Sequence, residues 1–148
     1  MIGMSFDINK GLIAIYTGSE YEVLDLSWVQ TDSISSTPDQ VLDKDIFTNA
    51  KGYLRRTVLE HTRSKWEANT TVLTEHQINK FINLLNKGFK GDGECSASER
   101  KLKLRYYNEW KQSYVSGYYY VPDITFQYKT ILNGKLMYQP IRFAFVEY

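Results

Sequence analysis

The chain has 148 residues, of which 43% are apolar and 24% are charged, and its formal net charge is +1. These values are typical of one globular domain, and no apolar run approaches the roughly 18 residues of a membrane-spanning helix. We therefore expect a single domain over residues 1–148 without membrane insertion.

The N-terminal segment MIGMSFDINKGLIAIY has no basic region followed by a small-residue cleavage site, so we expect no signal peptide and folding in a cytoplasm. Cys95 is the single cysteine, which excludes an internal disulfide. It lies in the polar stretch KGDGECSASER without a histidine nearby, and we predict an unreactive free thiol.

Acidic and basic residues are separated along the chain. Residues 1–50 contain eight acids and two bases, a net charge of −6, whereas residues 51–148 carry +7. Two interpretations stay open. Either the halves fold against each other and cancel, or copies of the molecule stack head to tail with charge setting their orientation.

In the N-terminal part, residues 11–16 and 21–29 predict two short strands, because Leu24, Leu26 and Trp28 alternate with polar residues. Residues 30–50 predict a long polar loop, either a mobile insert or a segment that orders against a neighbouring molecule.

Residues 53–66 favour one long strand or a bent pair of strands. The segment is basic through Arg55, Arg56, Arg63 and Lys65, which offers a weak hypothesis of a nucleic-acid stripe. The charges do not recur at a spacing that follows phosphates, so no specific nucleic-acid binding is predicted.

The best local signal predicts an amphipathic helix over about 74–88. Thr74 and Gln77 have the spacing of a capping box, in which each side chain satisfies a backbone N–H of the other. Gly88 is predicted to end the helix in a left-handed conformation. Leu73 and Ile78 occupy the two positions of a hydrophobic staple. An apolar stripe at helical spacing completes the pattern: Ile78, Phe81, Ile82, Leu85 and Phe89.

In the C-terminal part, alternation over residues 101–106 predicts a strand with one basic face, followed by a hairpin loop and a return strand at 118–121. Asn133-Gly134 predicts a type I′ turn. The register from that turn pairs Leu132 with Lys135, Tyr128 with Gln139, Phe126 with Ile141, and Ile124 with Phe143. Pro140 cannot donate a hydrogen bond, so an edge or bulge is expected there.

Nine of the twelve tyrosines lie between residues 106 and 148. In a strand, Tyr118 and Tyr120 share one face and Tyr119 points to the other, which favours packing within a sheet or a protein interface. The alternative is a carbohydrate- or base-stacking platform that also uses Trp110 and Tyr114.

Recognisable catalytic or metal-binding motifs are missing from the sequence. The two histidines, His61 and His76, belong to no motif, and His76 is expected to be solvated in the first turn of the helix. Asp43 and Asp45 form a D-x-D that lacks the remaining ligands of a calcium loop, so a solvated acidic loop is expected. We predict no enzymatic activity, no catalytic or metal-binding residue and no cofactor.

The order of these segments resembles the small tail proteins encoded in the tail modules of long-tailed bacteriophages and prophages of Gram-positive bacteria. Shared features are an arginine-containing strand near a tryptophan, a helix opened by Leu-Thr, and an aromatic strand before a closing hairpin. Over roughly residues 20–148 the matching residues are Arg55, Arg56, Trp66, Leu73, Thr74, Tyr120, Val121 and Asp123. Pro122 stands where glycine is more usual, so the backbone is expected to differ at that turn.

The resemblance implies a tail-tube-like fold: a β-rich α+β domain of two packed antiparallel sheets, sandwich- or barrel-like, flanked by the helix. It implies a virion structural protein of the tail tube, distal-tail hub or baseplate. Such a protein is made in the host cytoplasm and assembles into a ring, expected to be a hexamer, with its own copies and other tail proteins. The alternative function left open by the residues is a carbohydrate-binding module that uses the tyrosine-rich hairpin.

Overall fold

The structure is a computed structural model that describes residues 6–148. Residues 1–5, which begin the segment for which no signal peptide is expected, lie outside the described residues. Short 3-10 turns occur at Leu26–Trp28 and Thr31–Ser33, and helix α1 spans Glu75–Gly88. The strands are β1 Ile13–Tyr16, β2 Tyr21–Val23, β3 Ser35–Gln40, β4 Asp43–Thr48, β5 Leu54–Val58, β6 Arg63–Asn69, β7 Leu73–Thr74, β8 Lys101–Asn108, β9 Ser113–Tyr120, β10 Tyr128–Leu132, β11 Lys135–Tyr138 and β12 Arg142–Glu147.

The described strands form three sheets, and all their pairings are antiparallel. A seven-stranded sheet has the order β2-β1-β8-β9-β12-β6-β3, a three-stranded sheet the order β10-β11-β7, and β4 and β5 form a two-stranded hairpin. The predicted fold class, a β-rich domain of antiparallel sheets with one flanking helix, is confirmed. Over residues 6–148 the large sheet stays open, with β2 and β3 as its outer strands, and does not close into a barrel.

Helix α1 packs on one face of the seven-stranded sheet. Alternate residues of β8, Leu102 and Leu104, are buried there together with Phe143 and Phe145 of β12. The ring of Phe81 on α1 lies 5.0 Å from that of Phe143. Because side chains alternate across a strand, this packing buries one face of the sheet and leaves the other available to solvent or a partner.

The predicted start of α1 is confirmed. The Thr74 hydroxyl accepts a hydrogen bond from the Gln77 amide, and the Gln77 side-chain oxygen accepts one from the Thr74 amide at 3.0 Å. Leu73 and Ile78, the predicted staple pair, are buried in one cluster with Ile141. The capping box and the staple therefore fix where the helix begins.

The predicted role of Gly88 is wrong. It stays within α1, and the following cap residue, Phe89, has a helical φ of −66°, so no left-handed residue ends the helix. A β-carbon built on Gly88 would lie 2.6 Å from Ile15 Cγ2 and 3.3 Å from Leu102 Cδ2. Glycine is needed here because α1 approaches β1 and β8 closely.

The strand predicted over residues 21–29 is shorter, since β2 ends at Val23. The Asp25 carboxylate accepts hydrogen bonds from the Ser27 amide at 2.9 Å and the Ser27 hydroxyl at 2.6 Å. This local turn offers the backbone an alternative to strand pairing. It brings Trp28 edge-on to Phe81 of the helix.

The long polar loop predicted over residues 30–50 is wrong, because the segment contains β3 and β4. Strand β3 pairs with β6, with Ser36 opposite Trp66, and β4 pairs with β5. Serine and aspartate are poor strand formers, so these strands depend on partners later in the chain. The segment predicted as a long strand or a bent pair is the bent pair, β5 and β6.

The C-terminal turn is confirmed. Asn133 and Gly134 have φ values of 53° and 74°, as a type I′ turn requires, and Leu132 lies opposite Lys135. A register shift then places Tyr128 opposite Tyr138, whereas the prediction paired it with Gln139.

Residues 121–126 do not continue this hairpin, so the predicted pairs Phe126–Ile141 and Ile124–Phe143 do not form. Pro140 lies in the break between β11 and β12, where its missing N–H prevents the ladder from continuing. Strand β12 pairs instead with β6 and β9, in the middle of the large sheet. The predicted return strand at 118–121 belongs to a longer strand, β9, which begins at Ser113.

Replacing Gly88 with alanine tests the close approach of α1. Alanine normally stabilises a helix interior by about 1 kcal/mol relative to glycine. Here the added methyl group overpacks the core, and we expect the free energy of unfolding to fall by about 1–3 kcal/mol. Denaturant unfolding measures it. Asn83→Ala, at an exposed position of the same helix, is the control and should leave stability equal or higher. A more stable Gly88→Ala protein would contradict the packing argument.

Candidate functional site

The run of three tyrosines in β9 serves both faces of the large sheet. Tyr119 is 2% exposed, and its ring lies 5.6 Å from that of Tyr106 in the core. Burial raises the pKa of Tyr119, so its hydroxyl stays protonated. Tyr118 and Tyr120 point to the opposite face, as the alternation predicts, and Tyr120 is 38% exposed.

That opposite face carries tyrosines and cations together, and we call it the tyrosine-rich face. Cross-strand pairing places Lys101 opposite Tyr120 and Lys103 opposite Tyr118. Its members come from β1, β2, β8, β9 and the C-terminus: Tyr16, Tyr21, Lys101, Lys103, Arg105, Tyr114, Tyr118, Tyr120 and Tyr148. The surface alternates rings with amino and guanidinium groups.

The ring geometry does not support the carbohydrate platform. The Tyr120 and Tyr148 rings meet at 82°, and those of Tyr107 and Tyr114 at 65°. Trp110 is 77% exposed, but it lies beside β3 at the turn between β8 and β9. Tyr119 is buried, and the faces of Tyr120 and Tyr114 are partly occupied by these neighbouring rings, so the candidate residues do not all offer a free ring face to a sugar.

Asp92 holds one end of the tyrosine-rich face. The Tyr118 hydroxyl donates to Asp92 Oδ2 at 2.8 Å, and this hydrogen bond raises the pKa of Tyr118 to about 12. Burial alone would raise the pKa of Asp92, but hydrogen bonds from Tyr118, Glu94 and Cys95 outweigh it, and the pKa is lowered. Burial raises the pKa of the Cys95 thiol, which lowers its thiolate fraction.

The other candidate side chains do not come together. His61 is exposed, with a ring nitrogen 3.0 Å from the Tyr148 carbonyl oxygen, and His76 is exposed in the first turn of α1. Asp43 pairs with Arg56 at 2.8 Å. In the described part of the chain, no group of three or more His, Cys, Asp or Glu residues could hold a metal ion. No helix of residues 6–148 is long and apolar enough to cross a membrane.

The second notable surface is a hairpin formed by residues 41–59, which we call the projecting hairpin. Its strands β4 and β5 pack extensively on each other and make at most slight contact with any other element of residues 6–148. Its turn is closed by Asn49, whose side chain accepts hydrogen bonds from the Lys51 and Tyr53 amides at 3.0 Å. It exposes seven large apolar side chains: Val41, Ile46, Phe47, Tyr53, Leu54, Val58 and Leu59.

Sequence reasoning missed this hairpin. The signal that could have found it is a turn between two apolar pairs, since Asn49 and Gly52 separate Ile46-Phe47 from Tyr53-Leu54. Gly52 adopts a φ of 85° in that turn. The composition of residues 30–50 hides the signal because polar residues surround it.

A polar network fixes the point where the hairpin leaves the body. Asp39 has an unusual φ of 50°, and its amide donates to Ser64 Oγ at 3.0 Å. The buried Asn108 donates to Asp39 Oδ2 at 3.2 Å, and the Tyr106 hydroxyl donates to Ser64 Oγ at 2.8 Å. These contacts hold the end of β3 against β6 and β8, so the hairpin starts from a constrained root.

The outer strands of the large sheet are poorly suited to pairing with another chain. Strand β2 has only three residues. Strand β3 contains Pro38, which lacks an N–H, and its pairing with β6 shifts register between Thr37 and Gln40. Short edges, prolines and bulges are the features that limit edge-to-edge association.

These features define a β-rich α+β protein with a projecting apolar hairpin and a tyrosine-rich sheet face. The chain belongs to the family of unknown function DUF6711, whose profile matches residues 15–148. No curated protein matches it. Among solved structures, it is similar to a chain of the tail of an empty GTA particle with C6 symmetry. The TM-score is 0.48 at 14% identity, covering 97% of this chain and 94% of that chain.

Replacing Asp92 with asparagine tests the hydrogen bond to Tyr118. Because the folded-state pKa of Tyr118 is raised, the bond stabilises the fold fully below the ordinary tyrosine value of 10.0 and is lost as pH rises toward 12. We expect the Tyr118 titration midpoint to fall from about 12 toward 10.0 in Asp92→Asn, as followed by carbon-13 NMR of the tyrosine ring. Glu94→Gln removes an equal charge without this bond and should change the midpoint little. A midpoint unmoved by Asp92→Asn would refute the assignment.

Proposed function

We propose that this chain is a non-enzymatic structural subunit of a phage tail, and that its copies form a ring within the virion tail. The sequence resemblance to small tail proteins supports the class, and a hexamer is the ring size that this resemblance implies. The observation that carries the proposal is the projecting hairpin, which exposes seven large apolar side chains on one extended element. Exposed apolar surface of this kind marks a site of contact with another protein.

The contact between copies is made by the hairpin in this proposal. Ile46 and Phe47 are neighbours in β4 and point to opposite faces of the hairpin. Each is 60% exposed and offers an apolar anchor to an adjoining subunit. The outer strands β2 and β3 are short or interrupted, so simple edge-to-edge joining of the large sheets is less favourable. A heterologous contact of this kind closes into a ring when its rotation permits.

The position in the tail, whether tube, distal-tail hub or baseplate, follows from which other tail proteins the ring binds. The root network at Asp39 supports a directed contact, because it fixes the hairpin at the body end. A preorganised element loses less conformational entropy on binding than a mobile loop.

The double substitution Ile46→Ser and Phe47→Ser tests the assembly contact. We expect the wild-type protein to form rings, visible by negative-stain microscopy and by light scattering at high concentration. The variant should stay folded and weaken association by about 10-fold or more, since buried apolar anchors contribute about 1–2 kcal/mol or more each.

Trp110→Ser is the matched control, since Trp110 is 77% exposed on another part of the surface. It should assemble like the wild type. If the hairpin variant assembles equally well, the hairpin is not the contact, although the class of protein is unaffected. A wild-type protein that stays monomeric, both alone and when co-expressed with neighbouring tail-module proteins, would refute the tail function itself.

A further inference from the structure

The tyrosine-rich face holds a group of cations that take part in none of the ion pairs among the described side chains. Lys101, Lys103 and Arg105 occupy alternate positions of β8, so their side chains point to the same side. Lys10 reaches the same surface over the Tyr114 ring. The face is therefore a concentrated positive surface on a protein whose formal net charge is only +1.

Each of these cations rests on tyrosine rings. The Lys101 Nζ atom lies 4.5 Å from the Tyr148 ring centroid, and the Lys103 Nζ atom lies 5.6 Å from that of Tyr16. The Arg105 guanidinium carbon lies 4.9 Å from the centroid of a further ring, that of Tyr21. Cation–π contacts of this kind restrict long side chains that are otherwise free to rotate. The positive groups are thus held on the face before any ligand arrives.

Within residues 6–148 no ion pair joins a carboxylate to these cations, although Asp92 lies at one end of the face, where it accepts a hydrogen bond from Tyr118. Five ion pairs occur among the described side chains, and none of them joins an Asp or Glu to Lys10, Lys101, Lys103 or Arg105. The Arg105 Nε atom is buried without a hydrogen-bond acceptor. An anionic ligand can pair with the terminal amino and guanidinium groups, which carry the charge of these side chains.

The second basic segment of the chain differs in this respect. In the stripe predicted over residues 55–65, Arg56 pairs with Asp43 and Lys65 lies 3.7 Å from Glu67. Its charge is therefore partly satisfied within the protein. The three cations of β8 take part in none of the five ion pairs among the described side chains.

The spacing of the cations indicates the ligand. Alternate residues of a strand are about 6.6–6.8 Å apart, so the three cations of β8 extend over roughly 13–14 Å. A ligand that meets all of them needs several negative charges along a line. Duplex DNA presents about one charge per 1.7 Å of its axis. Rings already covered by cations are poorly placed to stack on bases. The cations would therefore contact the phosphates, and the binding would not depend on base sequence.

We propose that the tyrosine-rich face binds the phosphate backbone of duplex DNA without sequence preference, through Lys101, Lys103 and Arg105 held over tyrosine rings. This agrees with the expectation of no specific nucleic-acid binding. It goes beyond the proposed tail function and does not depend on assembly, because each protomer carries the complete face.

Fluorescence anisotropy with a labelled 20-base-pair duplex tests the proposal. Three phosphate contacts predict a slope of about −2.7 in log affinity against log salt, a fall of about 40-fold between 50 and 200 mM salt. The triple variant Lys101→Gln, Lys103→Gln and Arg105→Gln should lose most of the binding. Each single variant should reduce the slope by about 1, which keeps the test valid if the triple variant is unstable.

The matched control is Lys80→Gln, Lys87→Gln and Lys90→Gln, which removes three exposed positive charges on the α1 side. It should keep the wild-type affinity, and two duplexes of unrelated sequence should bind equally. Absence of wild-type binding at 50 mM salt, or an equal loss in the control variant, overturns the proposal. Binding of poly-glutamate as tight as that of DNA also overturns it, since the face would then fit an acidic protein.

Discussion

The packing of α1 on one face of the seven-stranded sheet is the constraint on which the other features depend. Gly88 lets the helix approach Ile15 and Leu102 so closely that a single β-carbon would collide. Phe81 then reaches the aromatic core around Phe143. Once this face is buried, strand alternation dictates that every second residue of β8 and β9 points away from the core, which creates the tyrosine-rich face.

The separation of charge along the sequence has a structural explanation. Three of the five ion pairs join an acid of residues 1–50 to a base of residues 51–148: Asp43 with Arg56, Glu22 with Lys87, and Asp39 with Lys111. This supports the interpretation that the two halves fold together and partly cancel. Such exposed pairs contribute little stability. The cations of β8 lie outside these ion pairs, and aromatic rings hold them in place of carboxylates.

Local signals predicted local structure well. The capping box at Thr74 and the Asn133-Gly134 turn were both recognisable, since each depends on residues within four positions of one another. Features that depend on distant partners were not accessible. The pairing of β12 with β6 and β9 involves residues more than 20 positions apart, and the close approach at Gly88 involves β1 and β8. The projecting hairpin has one feature of each kind. Its turn depends on neighbouring residues and was recognisable in principle, whereas its exposure depends on how the rest of the chain packs.

The exposure of the hairpin follows from the fold and from its root together. A two-stranded hairpin alone is marginally stable in water, and this one has no helix or third strand behind it in the described chain. Its direction is instead set at the base, where Asp39 adopts a left-handed conformation and is held by Ser64 and Asn108. A strained residue persists only when surrounding contacts fix it. The contacts at the root thus orient an apolar surface that the body does not cover, and a neighbouring subunit in the proposed ring would provide the packing partner that the hairpin lacks.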